Sequence, residues 1–189
     1  MARVVSVLSG DRVARGVFYS PKTPEFKAWF GDSVVTKTGK PGGEPLAVYH
    51  GAEMGGDFDT FELEEPGAFH VGPGMNDVAK SQYFFFSSNK STARTYGPVK
   101  SVFLRLQNPL VVDAKGAAYG EIVPFHYIGE AIAGGHDGVE VRNMRDDAME
   151  GGDEATTYIV FRPEQIKATT NARPTNSPNI QQSPKGTKL

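Results

Sequence analysis

The strongest constraint on the fold is the series of short apolar runs that glycine- and proline-rich turns separate along the chain. The chain contains 22 glycines and 13 prolines, a composition typical of short strands joined by long turns. The runs do not show the regular strand–helix–strand alternation that produces a parallel sheet. The predicted strands span residues 46–51, 83–88, 99–106, 108–113, 136–143 and 156–161. We therefore predict an α+β domain in which antiparallel sheets are accompanied by a few short helices.

One of these helices is predicted after Thr23, which can cap its first turn, and before Gly31, which can end it. Phe26, Trp29 and Phe30 recur within it at helical spacing. We expect them to form an apolar stripe that packs on the body of the protein rather than a ligand site.

Further short helices are predicted over residues 89–97 and 117–135. Between the first two predicted strands runs a long glycine-rich segment, residues 51–80, in which we expect Phe58 and Phe61 to anchor the chain to the core. Irregular segments of this length more often carry function than connect elements passively.

Composition excludes several classes of function. The net charge of −2 gives no general attraction to nucleic acid or acidic membranes, and no apolar run approaches the roughly 20 residues that span a bilayer. The absence of cysteine excludes disulfides, thiolate zinc sites and a cysteine nucleophile. The start of the chain lacks a convincing signal-peptide pattern, so we expect a cytoplasmic protein, either in bacteria or delivered into a host cell.

The first predicted strand ends on a histidine and a glycine, which is unusual for an apolar strand. Leu46, Val48 and His50 alternate onto one face, so His50 fits a core histidine that one backbone carbonyl satisfies. Gly51 instead permits something to approach the backbone closely, which suggests a binding site. Periodicity alone leaves both interpretations open.

Three segments, "VYHG", "YFFFSSNKSTARTY" and "TTYIVFRPEQIK", resemble in their order and spacing the histidine–tyrosine–glutamate branch of the ADP-ribosyltransferase superfamily. That branch includes diphtheria toxin and the poly-ADP-ribose polymerases. Residues 23–172 more closely resemble the ADP-ribosyltransferase-like domains of phage and mobile-element polyproteins, which share a helix like "FKAWFGDS" and segments like "NPL", "DG" and "QIK". The resemblance implies split antiparallel β-sheets around a cleft that binds NAD as the substrate.

The resemblance also implies roles for individual residues. His50 would hydrogen-bond the adenine-side ribose of NAD, and the backbone of Gly51 would hold the nicotinamide amide. Tyr96 and Phe85 would sandwich the nicotinamide ring, with Tyr83 the weaker candidate for the strand position.

In the helix that carries Tyr96, Ser91 or Thr92 could hydrogen-bond the nicotinamide carboxamide. Ala93 occupies the place where close relatives have serine. On the strand before this helix, Phe84 and Phe86 point away from Phe85 and are assigned to packing.

The sequence departs from the branch at its third motif, where Thr157 occupies the position of the glutamate and Gln165 matches a structural glutamine. Threonine can hydrogen-bond a ribose hydroxyl but carries no negative charge. Three outcomes stay open: Thr157 suffices for slow transfer of single units, Glu154 or Asp153 replaces the missing carboxylate, or the domain binds NAD and does little chemistry. Chain elongation of the polymerase type is not expected.

The segment before Thr157 is acidic, with carboxylates at Asp146, Asp147, Glu150, Asp153 and Glu154. In the resembled superfamily this loop recognises the target, so five acids would favour a basic protein surface; a solvated turn is the alternative. His70, His126 and His136 lack ligand-like spacing with acids, so no metal is expected.

The resemblance therefore implies a mono-ADP-ribosyltransferase that releases nicotinamide, modifies a protein side chain in preference to nucleic acid, and serves as a phage or bacterial effector or toxin. A catalytically weak NAD-binding module and an NAD glycohydrolase are the alternatives. Whether an immunity or inhibitor protein binds the cleft stays open. We expect residues 1–22 to be an arm or extra strand, residues 23–169 the catalytic domain and residues 170–189 a polar tail.

Overall fold

A computed structural model describes residues 21–52, 58–61, 83–122, 125–146, 152–171 and 173–181. The strands are β1 (Val48–Gly51), β2 (Phe84–Ser87), β3 (Val99–Leu104), β4 (Leu110–Asp113), β5 (Gly138–Arg145), β6 (Glu154–Val160) and β7 (Ile166–Ala168). The helices are α1 (Pro24–Phe30), α2 (Lys90–Thr95), α3 (Tyr119–Ile122) and α4 (Phe125–Ala133). These elements confirm the predicted α+β class.

The strands form one mixed sheet in the order β4-β5-β6-β2-β1-β3-β7. Strands β4 and β5 run parallel, while the other neighbours are antiparallel. The sheet is therefore built mainly on antiparallel pairs, as expected, with one parallel pair that the sequence did not indicate. A parallel pair requires a crossover connection, and α3 and α4 lie in the segment that joins β4 to β5.

The sheet is narrowest at the junction of β1 and β2, which share the single registered pair Tyr49–Ser87. On either side, β1 pairs with β3 and β2 pairs with β6 over four residues each. The sheet thus consists of two blocks that meet at one point. The sheets that were predicted to be split are therefore joined into one sheet at this junction, and His50 lies beside it.

Apolar side chains cover both faces of the sheet. On one face the largest cluster includes Val48, Phe84 and Phe86, so the predicted packing role of the two phenylalanines is confirmed. The opposite face packs Val141 and Ile159 against helix α4 and neighbouring residues.

Helix α1 forms as its sequence predicts. The Thr23 hydroxyl accepts a hydrogen bond from the Phe26 amide at 3.2 Å, and Gly31 ends the helix with a φ of 52°, a conformation that favours glycine. Phe26, Trp29 and Phe30 are buried together. The stripe is therefore a packing surface, as expected.

Part of the predicted tail packs against the body of the protein. Ile180 is 1% exposed and belongs to the same cluster as Phe61, the predicted anchor of the glycine-rich segment. The Ile180 amide donates to the Asp59 carbonyl at 2.7 Å, and the Ala168 amide donates to the Ile180 carbonyl at 3.1 Å. The boundary at residue 169 stays a prediction, as does the arm, of which residues 1–20 lie outside the described ranges.

Candidate active site

His50 ends the apolar face of β1 at the narrow junction with β2. Its Nδ1 atom lies 2.8 Å from the Phe85 carbonyl oxygen, and since a carbonyl can only accept, Nδ1 carries the proton. The ring makes edge contacts with Phe61 and tilted contacts with Phe86, with centroid separations of 5.0 and 5.4 Å. Burial among these rings lowers the pKa of His50, and the bond to the Phe85 carbonyl only partly opposes this shift.

The two interpretations of His50 are therefore compatible. Its Nδ1 is satisfied by one backbone carbonyl, as in a core histidine. The lowered pKa keeps the ring neutral near pH 7, so Nε2 presents a lone pair. No hydrogen bond to Nε2 forms within the described parts of the chain, which leaves this acceptor for a ligand hydroxyl.

Gly51 is required by the close approach of helix α2. A Cβ atom at this position would overlap the Ala93 carbonyl oxygen and would lie 2.9 Å from Tyr96 Cβ. The glycine therefore lets the end of α2 rest directly on the end of β1. This contact places Tyr96 beside the His50–Gly51 pair; the role of the Gly51 backbone toward nicotinamide stays a prediction.

Helix α2 is capped by Asn89, whose Oδ1 accepts the Ser91 amide at 2.9 Å and the Ser91 hydroxyl at 2.6 Å. Ser91 is thus engaged at the exposed start of the helix. Thr92 is buried on the same helix and stays the better candidate for the predicted carboxamide contact.

The aromatic candidates separate by face. Phe85 packs toward the second cluster, opposite Phe84 and Phe86, and Tyr83 contacts Phe161 with ring centroids 5.3 Å apart. Phe85 also supplies the carbonyl that fixes His50. Phe85 therefore meets His50 through its backbone carbonyl, while its ring lies on the face opposite Phe86, which the His50 ring contacts. The sandwich of Phe85 and Tyr96 around nicotinamide stays a prediction.

A carboxylate that the sequence assigned to the acidic loop lies inside the site. Tyr96 donates its hydroxyl to Asp146 Oδ1 at 2.7 Å, and Thr157 donates its hydroxyl to Asp146 Oδ2 at 3.1 Å. Asp146 is 8% exposed. The charge of Asp146 also acts on Tyr119: burial raises the pKa of this tyrosine to about 12, and the negative charge of Asp146 contributes to the rise. Asp146 therefore joins the second and third predicted motifs.

A β-bulge explains why Asp146 reaches this position. The register of β5 against β6 shifts between Val141 and Met144, and Asn143 adopts a left-handed φ of 54°. The extra residue reverses the alternation, so Asp146 rather than Arg145 shares the face of Thr157. The one local signal is Asn143 itself, since asparagine tolerates this conformation better than most residues.

Glu154 does not join this group. It begins β6, is exposed, and lies three residues before Thr157 on the opposite face of the strand. Its carboxylate instead lies beside the backbone of Gly116. Asp153 is also exposed.

A comparison with known protein families gives a match that covers the candidate site. Residues 41–176, well over half of the chain, match the family described as "ADP-Ribosyltransferase in polyvalent proteins". The chain belongs to this family. It is therefore an NAD-dependent ADP-ribosyltransferase. No curated protein and no solved structure gives a significant match.

Other residues of this ADP-ribosyltransferase have structural roles. Gln165, 1% exposed, accepts from the Arg162 amide and donates to the carbonyls of Arg105 and Asp137, as its predicted structural role requires. The Asp137 carboxylate accepts from two backbone amides before Gly138 begins β5.

The described residues of the transferase contain no group of three or more acidic or histidine side chains that could hold a metal ion. His136 Nδ1 lies 3.1 Å from the backbone carbonyl oxygen of Asn108.

Three residues discussed above, His70, Asp147 and Glu150, lie outside the described ranges. Among the described helices none has the length and apolar character of a membrane span.

Proposed function

We propose that this enzyme transfers single ADP-ribose units from NAD to a macromolecular acceptor. The observation that carries the proposal is the fixed state of His50, whose Nδ1 is committed to the Phe85 carbonyl and whose Nε2 presents a lone pair beside Gly51. An acceptor atom held rigidly at a sheet junction suits a ribose hydroxyl, because the hydroxyl donates its proton and is thereby oriented.

The neighbouring side chains suit the nicotinamide end of the same substrate. Phe85 and Tyr96 would stack on the ring, the Gly51 backbone would bind the carboxamide, and the Thr92 hydroxyl would add a further contact. Ring stacking contributes about 0.5–1.5 kcal/mol beyond the burial of area. Because nicotinamide loses its positive charge on leaving, an apolar slot favours its departure.

The transfer itself needs one bond exchange. The bond between ribose C1′ and the nicotinamide nitrogen breaks, and its electron pair neutralises the pyridinium. A lone pair of the acceptor then forms the new bond to C1′, and the acceptor proton is lost to water. Thr157 replaces the glutamate that polymerising relatives use, so we propose transfer of single units.

A protein side chain is the favoured acceptor. Asp153 and Glu154 are exposed at the start of β6, and their charges oppose the approach of a phosphate backbone. A basic protein surface would be attracted instead.

The family's occurrence in polyvalent proteins supports a role as a phage or bacterial effector that acts in the cytoplasm of the bacterium or of a host cell. An inhibitor protein of such an effector would act by covering the His50 junction.

The test is incubation of the purified protein with labelled NAD and a bacterial lysate, followed by measurement of free nicotinamide and of label on protein and on nucleic acid separately. We expect label on protein that disappears with His50→Ala. Label on nucleic acid would reassign the acceptor. Release of nicotinamide without transferred label, in lysates of several bacteria, would indicate an NAD glycohydrolase. Binding of NAD without release of nicotinamide would indicate an interaction module.

A further inference from the structure

We propose that Asp146 supplies the negative charge of the transfer site and acts through the hydroxyl groups of Thr157 and Tyr96. The inference rests on the proposed function and names a positioning residue for it. Its basis is the pair of hydrogen bonds that joins the three side chains across α2, β5 and β6.

The direction of both hydrogen bonds follows from chemistry. An ionised carboxylate can only accept, so Tyr96 Oη donates to Oδ1 at 2.7 Å and Thr157 Oγ1 donates to Oδ2 at 3.1 Å. The Thr157 hydroxyl has then used its proton and keeps its lone pairs. Thr157 Oγ1 is thereby fixed as an acceptor for a substrate hydroxyl, and the carboxylate behind it strengthens that capacity.

The side chains of Asp146 and Thr157 are nearly closed to solvent. Asp146 is 8% exposed and Thr157 is 1% exposed, so solvent screens the carboxylate weakly. No lysine or arginine in the described part of the chain forms an ion pair with Asp146. A buried carboxylate that serves only stability is usually paired with a cation, whereas this one is held by two neutral hydroxyls.

The position of the charge suits the reaction. Thr157 pairs with Ser87 across β2 and β6, two residues along β2 from Phe85, whose carbonyl holds His50. When the C1′–nicotinamide bond breaks, the electron pair leaves with nicotinamide and positive charge develops on the ribosyl group. Asp146 stabilises that charge through Thr157. A fixed charge of this kind acts without reorganisation at the moment of reaction.

The bulge at Asn143 is a second observation that points to the site. Without the extra residue of β5, Arg145 would face Thr157 and Asp146 would turn away. Bulges are frequent next to active sites, where they redirect a side chain.

The test compares Asp146→Asn with Asp32→Asn. The asparagine keeps the size of Asp146 and both contacts, since its amide can accept from one hydroxyl and donate to the other, but it removes the charge. Asp32 is an exposed carboxylate beyond α1 that makes no hydrogen bond with these hydroxyls, so it serves as the matched control. We expect Asp146→Asn to lower kcat for nicotinamide release by roughly 10²-fold, with KM for NAD and the unfolding midpoint close to those of Asp32→Asn.

Thr157→Val is the second variant, since it keeps the shape of threonine and removes the hydroxyl. It should lower kcat in the same way. Equal kcat in Asp146→Asn and Asp32→Asn would overturn the inference. A higher KM for NAD together with a lower unfolding midpoint in Asp146→Asn would also overturn it, because that pattern indicates that Asp146 only supports the structure. Loss of turnover in Glu154→Gln but not in Asp146→Asn would assign the charge to Glu154 and overturn the inference. A wild-type protein that releases no nicotinamide from NAD would contradict the proposed function itself.

Discussion

The substitution Gly51→Ala tests how the site is assembled, because one methyl group falls between two elements. The added Cβ would overlap the Ala93 carbonyl oxygen and would meet Tyr96 Cβ at 2.9 Å, closer than real Cβ contacts. Both atoms belong to the end of α2, so the helix end must move away from β1. Overpacking of this kind costs about 1–3 kcal/mol, while replacing a strand glycine recovers about 0.5–1 kcal/mol.

We therefore expect a net loss of roughly 1–2 kcal/mol in the free energy of unfolding, which is about 2–8 °C in Tm for a domain of this size. The displacement of Tyr96 should also raise KM for NAD. Chemical denaturation and nicotinamide release measure the two effects on the same sample.

Gly120→Ala is the matched control. Gly120 lies in α3 and has no positive φ. Outside its own helix and its chain neighbours, no atom of the described residues lies within 4 Å of an added Cβ. We expect this variant to be as stable as the wild type or up to about 1 kcal/mol more stable, since alanine favours helix. If Gly51→Ala is no less stable than Gly120→Ala, the close packing of α2 on β1 is wrong.

Three further predictions concern stability. Burial lowers the pKa of His50, so the free energy of unfolding should fall as the pH drops from about 6.5 toward that lowered pKa. In chemical denaturation at several pH values, His50→Gln should not show this decrease. Burial likewise lowers the pKa of Lys167 to about 8 from its ordinary 10.5, so stability should rise between these pH values in the wild type and not in Lys167→Met. Ile180→Ala should cost about 2–5 kcal/mol in denaturation, whereas no loss would show that residues 173–181 do not belong to the folded body.

Features that depend on local sequence were predicted correctly. The Thr23 cap, the Gly31 end and the aromatic stripe of α1 all lie within nine residues and follow from short-range geometry. The opposite faces of Phe84 and Phe85 follow from strand alternation. The end of β1 on His50 and Gly51 was equally visible.

Features that depend on long-range contacts were missed. The direction of β4 is set by the course of the chain through α3 and α4, which periodicity does not encode. Asp146 meets Tyr96, 50 residues away, only because of the extra residue in β5. Ile180 was hidden in a polar segment because a single buried residue gives no pattern.

The most direct test of the central claim is the rate of nicotinamide release by the wild type and by His50→Asn. Asparagine can place an N–H near the position of Nδ1 and keep the bond to the Phe85 carbonyl, but it has no counterpart of Nε2. We predict that His50→Asn folds with an unchanged unfolding midpoint and loses roughly 10–100-fold in kcat/KM, the cost of one hydrogen bond to the substrate. Release at the wild-type rate by the folded variant would show that Nε2 does not bind NAD and would contradict the assignment of the site.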